Sequence, residues 1–256
     1  MRLNSLQRAG MTNRLRRFPF AAIGVLLLAT TLPAQAKRYP LDSTTGLRLH
    51  NVVAEPAVLQ GKKGLRITPS EEARRRLQSM TPNEQLLFPQ LASIEGLEFA
   101  NGMIEAEIAG AQAPDAGEAA RGYVGIAFRV QNDGTTYDAF YLRPTNGRAE
   151  DQERRNHAVQ YISHPDRPFF RLRKEAPSKY ESYVDLIPGV WTKVKVEVRG
   201  ERARLYVHDQ EQPTLIVNDL KTGAHGRGAV ALWSYHDTVA HFRDLRIDTL
   251  SKGNSK

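Results

Sequence analysis

The stretch YVGIAFRVQNDGTTYDAFYLR, Tyr123 to Arg143, decides the fold. Two runs rich in Val, Ile, Phe and Tyr flank Gln131-Asn132-Asp133-Gly134, whose residues tolerate the positive φ of a tight hairpin turn. Strand side chains alternate between faces, so Val124, Ile126, Phe128 and Val130 are expected in the core and Gly125, Ala127 and Arg129 on the opposite face. In the returning strand Phe140 and Leu142 are expected to bury, while Tyr137, Tyr141 and Arg143 join Arg129. Small residues beside a guanidinium leave room for a ligand and supply a forked donor for hydroxyls or a carboxylate. Tyr141 would add an apolar ring and a hydroxyl.

The same strand-and-turn punctuation continues on both sides. Strands are expected near 47–53, 65–68, 102–109, 157–163, 180–187, 191–198, 202–208, 214–217, 229–235 and 240–247, with Gly200-Glu201 turning a second hairpin. One helix is expected to start at Thr68, where Thr68-Pro69-Ser70-Glu71 combines an N-cap hydroxyl, a proline at the first helical position and a glutamate at the third. It should end near Ser79 or Met80, with Arg74-Arg75-Arg76 as a solvated face. There is no internal repeat, so 37–250 reads as one all-β domain, a jelly-roll sandwich of two antiparallel sheets, followed by a disordered tail over 251–256.

A length of 256 residues with 41% apolar and 25% charged residues excludes a disordered, collagenous or coiled-coil chain. Arg2, Arg8, Arg14, Arg16 and Arg17 precede an apolar stretch from Phe18 to Leu32 that ends in Pro33-Ala34-Gln35-Ala36, the pattern of a cleaved export leader over 1–36. Pro19 fits poorly after a twin-arginine pair, which favours general secretion to the periplasm or beyond, with no membrane span left after cleavage. Removing the leader lowers the net charge from +8 to +3, which takes away the electrostatic footprint nucleic-acid binding needs. The absence of cysteine excludes a thiol nucleophile and thiolate metal sites.

Several strands carry a resemblance. Gly102 to Ile108, Gly125 to Arg129, Trp191 with Val194-Lys195-Val196 running into Leu205-Tyr206-Val207, Gly228 to Trp233, and Phe242 to Ile247 resemble the concanavalin A-like lectin/glucanase superfamily, in particular the bacterial 3-keto-disaccharide hydrolase-like domains. The resemblance spans about residues 47 to 248. It implies two curved antiparallel sheets with a concave face that commonly holds glycan, in a group where some members cleave sugars and others bind them. It also implies that Gln160 lies on the concave side and Tyr161 packs inside. The chain departs from the pattern at His208-Asp209-Gln210, where an Asn-Gly turn is usual, and over the long charged segment 144–179.

The candidate sites follow from these readings. Arg129, Tyr141, Arg143 and Gln160 are the expected saccharide contacts, with an oligosaccharide or polysaccharide as partner. Residues 143–175 hold eight Lys or Arg against five Asp or Glu and include His157, so a second reading is glycoside processing in which Asp151 or Glu150 works with His157 in acid/base catalysis. A third is an envelope structural or adhesion domain. Glu105 and Glu107, at i and i+2 on one strand face, form a possible glycosidase pair, with cross-strand pairing to Arg243 or Arg246 as the alternative. Trp191 and Trp233 read first as core aromatics, with sugar-stacking platforms as the alternative, and His208, His225 and His236 read as surface histidines. No cofactor is expected, and no motif supports a structural calcium.

Overall fold

The computed structural model describes residues 36–250; the leader expected over 1–36, Ala36 apart, and the tail expected over 251–256 lie outside the described residues. The chain runs through β1 (Lys37–Tyr39), β2 (Leu47–His50), β3 (Val52–Leu59), β4 (Lys62–Pro69), α1 (Glu71–Ser79), α2 (Pro82–Leu86), β5 (Leu91–Ile94), β6 (Gly102–Gln112), β7 (Val124–Val130) and β8 (Tyr137–Leu142). It continues through α3 (Gln152–Asn156), β9 (Val159–His164), α4 (Phe169–Glu175), β10 (Glu181–Ser182), β11 (Thr192–Arg199), β12 (Arg202–Val207), β13 (Leu215–Val217), β14 (Ala229–Ser234) and β15 (Thr238–Thr249).

The strands form two antiparallel sheets. The first has the order β13, β12, β11, β6, β15, β4, β3, with β1 also paired to β15; the second has the order β10, β9, β8, β7, β14, β5, β2. Alternation turns Ile104, Ile108, Val196 and Phe242 of the first sheet toward Ile126, Phe128, Phe140 and Leu232 of the second, and all are at most 2% exposed. Burying each such side chain stabilises the fold by about 1.5–3 kcal/mol, so this interlayer core is the main favourable term. The result is the jelly-roll sandwich read from the sequence, with four short α-helices among the described residues where one was expected.

Both hairpins form where the turn residues place them. Gln131 N–H donates to Thr136 O at 2.9 Å across the β7–β8 turn, and Gly134 takes a φ of +72°. Arg199 pairs with Arg202 across Gly200-Glu201. The helix start differs by two residues: Thr68 and Pro69 stay in β4, paired with Val53 and Val52, and Ser70 caps α1 by accepting from Ala73 N–H at 3.1 Å. Ladder pairing to β3 holds Thr68 extended, and the next hydroxyl takes over as cap. The same Thr-Pro-x-Glu pattern recurs at Thr81-Pro82-Asn83-Glu84, where it does cap a helix, α2, through a complete capping box.

The strand expected over 47–53 is two strands in different sheets, broken at Asn51, whose φ is +60°. The strand expected over 180–187 reduces to β10, and the segment 144–179 is built from a short 3-10 turn, α3, β9 and α4. Among the described residues, no helix is long and apolar enough to cross a membrane.

Candidate functional site

Three of the four expected saccharide contacts, Tyr141, Arg143 and Gln160, come together on the outward side of the second sheet. Gly125 pairs with Tyr141 on one side and Trp233 on the other, so a residue without a side chain lies between two aromatics. A Cβ at Gly125 would lie 2.6 Å from that of Tyr141. Its absence lets the two rings meet, at a centroid separation of 4.7 Å and an interplanar angle of 24°. Trp233 is therefore on the outer face, not in the interlayer core, and its Nε1–H donates to Tyr137 Oη at 3.1 Å. Tyr123 meets Tyr235 edge-on at 5.2 Å and Tyr141 at 6.0 Å, which extends the aromatic floor to the strand ends.

Strict alternation fails at Arg129. Phe128 pairs with Val230 and Val130 with Ala229, so Arg129 is the extra residue of a β-bulge, with a φ of +57°. The bulge hands the outer face to Val130, expected inside, and turns Arg129 inward, where it has 0% exposure. All five of its N–H groups are used: Nε and Nη2 donate to Ala100 O at 3.1 and 3.0 Å, Nη2 to Gly200 O at 2.7 Å, and Nη1 to Gly223 O at 2.7 Å and Thr222 Oγ1 at 3.0 Å. Asp138, also inward, accepts from Tyr161 Oη at 2.7 Å and from Thr222; burial raises its pKa, against the pull of those bonds and the Arg129 charge. Arg129 ties the ends of three segments together and does not stand with Tyr141.

Over the aromatic floor lies a groove of about 270 Å³. Its walls are Pro82, Gln85 and Leu86 of α2, Pro168 and Phe169 at the start of α4, and Ala119 and Ala120 of the loop between β6 and β7. Its polar groups include Gln85, His164, His236 and Asp237. His164 lies parallel to Tyr137 at 4.8 Å, and its ring nitrogens face Thr135 O and Leu87 O, which fastens the α2 wall to the sheet. Burial lowers the pKa of both His164 and His236. His236, at φ +49°, belongs to this rim instead of the open surface expected for it.

Arg143, Tyr141 and Gln160 do come together. Arg143 Nη2 donates to Tyr141 Oη at 2.9 Å and to Gln160 Oε1 at 3.2 Å, Nη1 donates to His157 O at 2.9 Å, and the guanidinium lies 5.0 and 5.3 Å from the ring centres of Tyr141 and Phe169. Gln160 is on the Tyr141 side, as the resemblance implies, but has 0% exposure, and its Nε2 donates to Tyr161 O and Tyr180 O. Tyr161 packs inside. Burial pushes the Tyr141 hydroxyl pKa up, so it acts as a neutral donor or acceptor.

His157 is not partnered by Asp151 or Glu150. Asp151 caps α3, its Oδ1 accepting from Glu153 and Arg154 N–H at 2.8 and 3.1 Å, and Glu150 is exposed. The carboxylate that meets His157 Nδ1 is Glu181, which also receives Arg173 Nε and Nη2 at 2.8 and 2.6 Å. Burial lowers the His157 pKa, with Glu181 opposing and the guanidiniums of Arg173 and Arg143 adding. Glu181 was missed because its run reads as an ordinary strand; its pairing with Gln160 puts it on the same face. Tyr123 and Tyr235 lie just beyond strand ends, at the same parity as Gly125 and Trp233, so the signal for them was present.

Glu105 and Glu107 lie on the outer face of the other sheet. Glu107 meets Lys62 Nζ at 3.0 Å and Arg243 Nε at 3.9 Å, and Glu105 meets Arg246 Nη1 at 3.7 Å, the cross-strand pairing foreseen as their alternative. Trp191 is half-buried and donates from Nε1 to Leu59 O at 3.0 Å. Among the described residues, no group of three or more His, Asp or Glu is arranged to hold a metal ion.

No protein-family model matches the chain, and no curated protein matches it. Solved structures do. Carbohydrate-binding module CBM66 from Bacillus subtilis is 12% identical, with a TM-score of 0.50 over 80% of this chain and 96% of that one. A Bacillus subtilis protein of unknown function with a galectin-like fold is 11% identical, with a TM-score of 0.49 over 83% and 94%. A β-glucanase from Bacillus licheniformis is 12% identical, with a TM-score of 0.42 over 86% and 100%. With its two antiparallel sheets, the chain has a jelly-roll β-sandwich fold similar to that of the carbohydrate-binding module.

Proposed function

We propose that the protein is an exported saccharide-binding sandwich, with the sugar in the groove on the outer face of the second sheet. The observation that carries this reading is the floor of Tyr123, Tyr141, Trp233 and Tyr235 beneath a groove with a polar rim. Aromatic faces suit the apolar side of a pyranose, and a few convergent polar groups fix its orientation. Gln85, His236 and Asp237 line the groove and offer polar atoms to ring hydroxyls, while both ring nitrogens of His164 are taken by backbone carbonyls. Arg143 holds the Tyr141 hydroxyl of that floor and is itself held by Gln160. Export rests on the leader pattern, which places the ligand outside the cytoplasm.

The test is a carbohydrate array followed by calorimetry. Saccharide binding that falls about tenfold or more in Tyr123→Ala, a cost of about 1.4 kcal/mol, supports the groove. A folded protein that binds no saccharide, or binds one with Tyr123→Ala unchanged, removes the reading.

Hydrolysis of a glycoside of the 3-keto-disaccharide type is the second reading, favoured by the contact of His157 with a buried carboxylate. In it His157 moves the proton and Glu181, in the place expected of Asp151 or Glu150, orients the imidazole. Release of reducing sugar that is abolished in a folded His157→Ala variant supports it; inertness across keto-disaccharides and oligosaccharides counts against it.

A further inference from the structure

At the end of the groove where β7 begins and β8 ends, positive charge exceeds negative. Arg143 is 4% exposed, and Glu181, whose carboxylate stands 3.8 Å from it, already accepts from Nε and Nη2 of Arg173. Arg121 adds a further guanidinium beside the groove, between the lining residues Ala120 and Tyr123. Burial lowers the Arg121 pKa, and the nearby positive charges of Arg154 and Arg143 lower it further. The Arg121 Nη1 donates to the carbonyls of Glu118 and Ala120, which fix its direction without balancing its charge.

A second observation falls on the same corner. Arg154 Nε, Thr145 Oγ1, Asn146 Oδ1 and His157 Nε2 are buried with no hydrogen-bond partner. The chain ties them to one place: Thr145 N–H donates to Arg121 O, Asn146 Nδ2 to His157 O at 3.3 Å, and His157 N–H to Arg154 O at 3.1 Å. Buried polar atoms are rarely left unpaired, and of these four the Arg154 Nε–H and the Thr145 hydroxyl can donate to an oxyanion, beside the guanidiniums of Arg121 and Arg143.

We propose that this corner is the anion subsite of the groove and that the ligand is an acidic saccharide, whose carboxylate meets Arg154 and Arg121 while its ring lies along Tyr123 and Tyr141. The proposal rests on the groove reading above. The rim carboxylate, Asp237, acts on Tyr235 and His236, on the far side of Tyr123 from Arg143. The groove is therefore charged oppositely across its width, which orients a uronate with its carboxylate toward the arginines and its hydroxyls toward Asp237.

The test uses an array in which each uronate-containing oligosaccharide is paired with its carboxyl-reduced counterpart, with sulfated neutral oligosaccharides alongside, followed by calorimetry on the tightest binder. The expected binder is a uronate, held about tenfold or more tighter than its reduced partner, a preference that weakens with salt. Arg154→Gln, and separately Arg121→Gln, are expected to erase the preference and leave binding of the reduced sugar unchanged. Binding confined to sulfated members overturns the carboxylate and keeps the anion subsite. Equal binding of uronates and reduced partners overturns the subsite and leaves the groove intact, whereas no saccharide binding by the folded protein overturns both.

Discussion

Replacing Arg129 by methionine tests whether the arginine is a strut or a ligand contact. The substitution keeps most of the aliphatic stem and removes five N–H donors from a position with 0% exposure. The carbonyls of Ala100, Gly200 and Gly223 then lose donors in the interior. Each buried acceptor left unpaired costs about 1–3 kcal/mol. Asp138 loses a neighbouring positive charge as well, a smaller effect because the two are linked through Thr222 and form no direct ion pair. These terms overlap, since one relaxation or one entering water serves several groups, so a net loss of about 4 kcal/mol is expected. Set against a typical total of about 5–15 kcal/mol, such a loss brings the unfolding midpoint down sharply in urea, followed by circular dichroism with the slope held common. A loss below about 1 kcal/mol would refute the strut. So would a stable variant whose saccharide affinity had collapsed, because Arg129 would then touch the ligand.

Three further outcomes follow from the same structure. Glu181→Gln leaves Arg173 and His157 without their buried carboxylate and should cost about 3 kcal/mol in the same urea assay, and an unchanged midpoint would show that the Arg143 corner does not need it. His50, His157, His164, His236 and His241 all have pKa values held below 6.5, chiefly by burial, so the unfolded chain takes up protons first as pH falls through 6.5. Stability is therefore full above pH 6.5 and declines below it; unfolding midpoints that rise between pH 7.5 and pH 5.5 (about one pH unit on either side) would contradict the sign. Glu105→Gln and Glu107→Gln break partly exposed ion pairs on the other sheet and should change stability by less than about 1 kcal/mol, with saccharide binding and any hydrolysis unaffected; lost activity in either variant would revive the strand-carboxylate pair.

The sandwich was legible because alternation and turn chemistry act on adjacent residues: the run from Tyr123 to Arg143 carries its own turn, its own inward face and its own glycine beneath Tyr141. What alternation could not carry was the count of residues in the partner strand. Arg129 is inward because β14 supplies one residue fewer than β7 at that point, and the cause lies about a hundred positions away, where Gly228 approaches so closely that a Cβ would stand 2.3 Å from Val130 O. The ion partners were hidden for the same reason: Glu181 reaches His157 across a strand pairing, while Asp151, six positions from His157, is held at a helix cap that its own sequence neighbourhood dictates. Sequence distance thus misled most where a charge was involved, since a carboxylate is consumed by the nearest free N–H and a guanidinium by the nearest cluster of carbonyls. Apolar and aromatic residues have no such competing local partners. Tyr141 therefore lies on the face where pleating alone puts it, whereas Trp233, read first as a core aromatic, joins it there because β14 pairs Trp233 with Gly125.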